Sequence, residues 1–151
     1  MRTRVAVDIH CHIGEVWERV SDLTSHVTWM QDAKEIRLRS LQHEGMGTEI
    51  ECLTQVGPFR TRDVLRVTDW KPRSRITMEH LGSIKGTGTI ALEAYGSTTH
   101  VVWTEEILFP WWIGGSFTGA AAKLILHEVW ASNLHRLKRI CEEKRSSSVV
   151  Q

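Results

Sequence analysis

Two residues far apart in the chain have the chemistry of a proton-transfer pair. His80 ends the run 75–80, where Ile76, Met78 and His80 share a face at period two. Glu105 lies in the run 101–107, where Val101, Trp103, Glu105 and Ile107 share a face. An imidazole titrates near neutrality and serves as acid or base. A carboxylate among tryptophan and aliphatic side chains is costly unless it is paired or hydrogen-bonded. An inward Glu105 therefore needs a partner, and Arg60, Arg62 and His80 are the candidates. Asp63 and Glu93 are weaker candidates of the same kind. The plain alternative for His80 is a satisfied interior or edge histidine. No Ser/His/Asp or Cys/His set can be assembled, so no catalytic residue is assigned beyond the candidates His80 and Glu105.

Asp8, His10 and His12 recur at i, i+2 and i+4 on one face of the first strand. Two imidazoles so placed suit zinc or copper. Their strand buries its other face, however, so the three are expected to be solvated surface, and neither metal nor cofactor is assigned. Cys11, Cys52 and Cys141 are odd in number and widely spaced, without a CxxC or zinc spacing. They fit reduced, mostly packed thiols of a cytoplasmic protein. The opening MRTRVAVDIHCH alternates and forms no apolar signal-peptide core.

With 19 basic and 18 acidic side chains the net charge is +1, and no basic patch marks a nucleic-acid partner. The basic cluster at Arg136, Lys138, Arg139, Lys144 and Arg145 suits the C-terminal end of a helix. A chain of 151 residues is most simply one domain, expected over 1–144, with a flexible tail over 145–151.

The elements that must position these residues follow from periodicity. Residues 4–13 alternate apolar and polar, as a half-buried strand does. Val16, Trp17, Val20 and Leu23 then recur at helical spacing, and a second short helix or turn covers about 24–31. Strand-like runs follow near 34–42, 47–56, 59–70, 75–82, 87–95 and 98–108. Turn residues such as Gly57-Pro58, Gly82-Ser83 and Gly96-Ser97 separate them. Short turns between runs of this length imply antiparallel hairpins. A long helix closes the chain, from about Ser116–Thr118 to Glu143. Its apolar stripe is Ala122, Leu126, Val129, Trp130, Leu134, Leu137, Ile140 and Cys141. The expected fold is α+β, a seven-stranded curved antiparallel sheet wrapped around that helix, in the order β-α-α-β6-α.

The stretch 107–126 carries one charge, Lys123. A membrane span needs about twenty residues of continuous apolar helix. Pro110 and the Gly114-Gly115 pair interrupt this one, so 107–108 read as a strand end and 118–126 as a helix start buried on most sides.

Taken in order, the opening strand into GEVWERVSD, HVTWMQDAKEI, EGMGTEIE, RDVLRVTDWKPRSRITM, THVVWTEEI and NLHRLKRICE span about residues 3–143. This series resembles the START-like superfamily, also called birch-pollen-allergen-like, helix-grip or SRPBCC. Within it the chain is most similar to the bacterial polyketide cyclase/dehydrase and lipid-transport group. The chain departs from it after Trp29, where Met30-Gln31 replaces a proline that members often carry. The resemblance implies a ligand cavity between the concave sheet face and the long helix, with short helices and hairpin loops at its mouth. Lining candidates are then Trp29, Met78, His80, Trp103, Glu105, Leu126 and Trp130, with Trp111 and Trp112 at the mouth. The first functional reading is a carrier or sensor for a hydrophobic or aromatic small molecule, lipid- or polyketide-like. The second is a cyclase or dehydratase using His80 and Glu105 as acid and base. The third is a regulatory interaction protein whose cavity is filled by its own side chains. Monomer and homodimer are both compatible with the sequence.

Overall fold

The computed structural model describes residues 1–109 and 116–149. The chain opens with strand β1 (Arg2–Ile9), helix α1 (Ile13–Ser21) and a 3-10 turn (Leu23–Thr28). Six strands follow: β2 (Ala33–Leu38), β3 (Glu49–Val56), β4 (Phe59–Lys71), β5 (Arg75–His80), β6 (Lys85–Tyr95) and β7 (Thr98–Leu108). Helix α2 (Ser116–Val149) closes the order. All seven strands form one antiparallel sheet in the order β1-β7-β6-β5-β4-β3-β2. This is the expected helix-grip arrangement.

Local physics sets each piece. Alternation in β1 buries Thr3, Val5, Val7 and Ile9, and Cys11 continues that face beyond the strand's end. The strand thus stops earlier than alternation alone implies, because Cys11 N–H turns back onto Ile9 O and His12 becomes the residue before α1. Helix α1 buries Val16 and Val20, one turn apart. The β3–β4 and β6–β7 hairpins turn on two residues each, with Gly57 and Gly96 at φ +56° and +59°, a conformation that side chains with a Cβ disfavour.

Register fixes which face of β3 and β4 turns inward. Ile50 and Cys52 pair with Leu65 and Asp63 on the concave side, and Val67 follows two residues later. Arg62 and Arg66 point the other way, to Glu51 and Glu49.

Helix α2 packs closest along β1 and buries Trp130, Asn133, Leu134, Leu137 and Cys141. Asn133 accepts from Gln31 N–H at 2.9 Å and donates to Asp32 at 2.7 Å, tying the helix to the start of β2. Its N-terminal third corrects one expectation. Composition implies that residues 118–126 are buried on most sides, yet Leu124 is 71% and Ile125 53% exposed. Length explains this. Thirty-four residues make a rod of ~50 Å, whereas the eight residues of β1, along which it lies, span only ~26 Å, so one end overhangs. The helix also runs to Val149, past the expected end at Glu143. Among the described residues no helix is long and apolar enough to cross a membrane. Pro110, Trp111, Trp112 and the Gly114-Gly115 pair lie outside the described residues.

Candidate functional site

The concave face carries one buried ionisable cluster, made by three strands. Glu105 on β7 pairs in register with Gly88 on β6, and Gly88 pairs with Met78 on β5. One step along, Gly86 faces His80. Gly88 removes the side chain that would stand between β7 and β5, and Gly86, at φ +140°, lets β6 close on the backbone at Glu106. A Cβ at Gly88 would overlap the Glu105 carboxylate. Glu105 therefore leans over β6 towards His80, placing its Oε2 3.5 Å from Nε2. On the other side His80 Nδ1 donates to Asp63 Oδ2 of β4 at 2.6 Å. Gly82, in the turn after β5, leaves the room that Asp63 occupies, since a Cβ there would overlap Oδ1.

Asp63 and Glu105 are only 6% and 7% exposed. Burial by itself would lower the His80 imidazole. The hydrogen bond to Asp63 and the adjacent Glu105 carboxylate outweigh it, and the group is pushed up to about 9. His80 is thus an imidazolium at neutral pH. Trp103 Nε1 donates to Glu105 Oε1 at 2.8 Å. Asp63 Oδ1, His80 Nε2 and Glu105 Oε2 have no hydrogen-bond partner, although all three are buried. The 3.5 Å between the last two permits charge attraction but is too long for a strong directed bond. Thr3 Oγ1, opposite Glu105 in register on β1, is also buried without a partner.

Aromatic rings adjoin the cluster. Trp103 meets Trp29 edge-on at 6.1 Å and Trp130 of α2 at 5.6 Å. Trp29 is fully buried, with its Nε1 unpartnered. Met78 and Leu126 are partly buried against the same core, as are Leu65 and Ile84. The structure therefore gathers the described lining candidates into one region, whereas Trp111 and Trp112 lie outside the described residues.

Other sequence candidates fall elsewhere. Arg62 is an outer-face partner of Glu51, and Arg60 and Glu93 are exposed, so none of the three reaches Glu105. Among the sequence's proposed partners, His80 alone meets it. Asp8, His10 and His12 are exposed and do not converge: Asp8 pairs with His100 at 2.7 Å, His10 Nδ1 lies 3.4 Å from Thr98 Oγ1, and His12 precedes α1. Among the described residues no three His, Cys, Asp or Glu groups could hold a metal ion. In the buried cluster the two ring nitrogens of His80 face different carboxylates, so the three side chains share no common point. A groove of about 310 Å³ on the convex face, lined by Arg75, Glu93, His100 and neighbours, is open and holds none of the unpartnered buried atoms.

Sequence reasoning ranked Asp63 low and missed Thr3, Asn133 and the glycines. The glycines left a legible trace, because KGTGTI places Gly86 and Gly88 on one strand face. A gap of that kind on a strand signals close approach by a neighbour.

With this geometry in place, comparisons give the kinship. A family profile described as polyketide cyclase/dehydrase and lipid transport matches residues 1–142. The chain belongs to this family. No curated protein matches it at the sequence level. Among solved structures it is similar to the TTHA0849 protein of Thermus thermophilus, at 18% identity and TM-score 0.79, covering 95% of this chain and 99% of that one. The ZhuI aromatase/cyclase of a Streptomyces species superposes at TM-score 0.76 with 15% identity, over 95% and 94% of the two chains. A START superfamily protein of Mycobacterium smegmatis gives TM-score 0.76 at 12% identity, over 94% and 97%. Identities this low establish the shared fold.

Proposed function

We propose that this chain binds an apolar or aromatic small molecule, lipid- or polyketide-like, between the concave sheet face and α2, as a carrier or sensor. Asp63, His80 and Glu105 hold the polar end of that molecule. One observation carries the reading: two buried carboxylates and a half-buried imidazole meet on a largely apolar face, and each keeps a buried polar atom without a partner. Folded proteins rarely leave buried polar atoms unmet, so each such atom asks for an explanation. A ligand's polar end supplies one, while its apolar body meets Trp103, Trp130 and Met78. Leu65, Met78 and His80 face the concave side yet are only partly buried, which favours open space over a self-filled core. All three cysteines are thiols, which suits a reducing compartment such as the cytoplasm.

The test is mass spectrometry of a solvent extract of the purified protein beside a mock purification. A specific molecule, lost from Asp63→Asn and Glu105→Gln variants that still fold, is the expected outcome. An extract identical to the mock, together with tryptophan fluorescence unmoved by any apolar amine, alcohol or acid, sinks the proposal.

A second reading, acid–base catalysis of a cyclisation or dehydration, is favoured by the position of His80 between two carboxylates. A shaped cavity supplies proximity, and His80 with Glu105 moves protons. His80→Ala and Glu105→Gln should then abolish turnover of a polyketide-like substrate while binding persists. Unchanged turnover in both variants removes this reading.

A further inference from the structure

We infer that the polar end of the ligand is a protonated amine, held at Glu105, and that the site discriminates against carboxylate and phosphate head groups. The inference rests on the preceding reading of the concave face as the ligand site and names the class of molecule it takes.

Charge counting inside the cluster comes first. It contains two acids and one imidazole, so His80 offsets at most one of two negative charges. Geometry says which one. The 2.6 Å bond from His80 Nδ1 to Asp63 Oδ2 makes those two a pair. Glu105 is left with a neutral donor, Trp103 Nε1, on Oε1, and on Oε2 only the His80 Nε2 that Asp63 already pairs, 3.5 Å away and without a hydrogen bond. The described lysines and arginines do not help it. None is among the buried residues, and Arg2, Arg62 and Arg66 are engaged by Glu106, Glu51 and Glu49 on the outer surface. A carboxylate 7% exposed with a bare oxygen is stable only if a cation or a proton reaches it.

The unmet atoms include two donors, His80 Nε2, which stands 3.5 Å from Glu105 Oε2, and Trp29 Nε1, so the excess of negative charge and not the count of acceptors selects the ligand. Glu105 Oε2 accepts, Asp63 Oδ1 accepts, and Thr3 Oγ1, opposite Glu105 in register, can accept. A protonated amine supplies N–H donors and positive charge together. An incoming carboxylate or phosphate adds like charge to a poorly screened cluster in which two acids already outnumber one imidazole. Trp29 Nε1 is a buried neutral donor and leaves the charge balance unchanged.

The experiment uses the full chain and ligands that differ only at the head. Dodecylamine, dodecanol and dodecanoate, each below its micelle-forming concentration, and the naphthylmethyl amine, naphthylmethanol and naphthoate set are titrated at neutral pH by calorimetry and tryptophan fluorescence. A charge-assisted hydrogen bond predicts that the amine binds about tenfold or more tighter than the alcohol, with the acid weakest. In a folded Glu105→Gln variant the amine's advantage over the alcohol should shrink to about threefold or less. If the alcohol or the acid matches the amine on the wild-type protein, the inference is overturned while the binding function stands. If no member of either set binds, both fall. The wild-type ranking decides by itself should Glu105→Gln fail to fold.

Discussion

His26 is buried and His80 half-buried, and their surroundings drive them in opposite directions. His26 sits in the 3-10 turn, 5% exposed, against the Trp29 ring at 4.7 Å. Burial lowers it to about 4, and neither its bond to Val20 O nor the more distant Asp22 reverses that. It is a neutral, satisfied part of a dry core. His80 is also desolvated, but two carboxylates face its two nitrogens and it stays charged to about 9. Burial of a histidine therefore says little about its role until its partners are known. A carbonyl partner leaves a structural residue, and a pair of acids leaves a poised one.

The largest test of this contrast is at Trp29. Its side chain is fully buried beside His26, so Trp29→Ala should cost ~3–5 kcal/mol in urea unfolding. A loss below ~1 kcal/mol would show that the His26 side is not a packed core.

Next come the two limbs of the pH profile. The raised value of His80 gives stability fully present below 6.5 and lost as pH climbs through about 9. The lowered value of His26 gives stability present above 6.5 and lost as pH falls through about 4. Each limb is worth on the order of 3 kcal/mol. Unfolding midpoints from pH 4 to 9 should show His80→Gln flattening the alkaline limb while sparing the acid one. An alkaline limb equally steep in the variant would place the titration elsewhere.

Two glycines sharpen the comparison further. Gly88→Ala should cost ~1–2 kcal/mol and weaken ligand binding, because the methyl group displaces Glu105. Gly14→Ala, in α1, meets only the flexible end of Arg73 at 3.4 Å and should be neutral or gain ~0.5 kcal/mol. Thermal melts of the two variants measure this directly, and equal losses would deny the glycine gap its role in seating Glu105.

The smallest effect is expected at Arg62. Its pair with Glu51 is exposed on the outer face, so Arg62→Ala should leave both the melting midpoint and ligand affinity unchanged. A loss of binding there would mean that Arg62 reaches Glu105 after all.

Much of this architecture was legible in the residues alone. The six strand runs after the short helices match β2–β7 closely, because alternation with short turns is a local signal that each hairpin repeats. The face shared by Trp103 and Glu105 was legible for the same reason, and both are buried. The sequence also required a partner for Glu105, since a carboxylate on an apolar face cannot stay alone. It could not choose among Arg60, Arg62 and His80. That choice depends on sheet register across two strand pairs, β7 with β6 and β6 with β5, together with the gap at Gly88. The exposed start of α2 escaped for a related reason. Composition marks a segment as apolar, but only the length of the helix against the strand it lies along decides which part is covered. Periodicity thus determined the elements and their faces, for these depend on neighbours a few residues apart. The meeting of Asp63, His80 and Glu105 was decided by pairings that join residues from different strands.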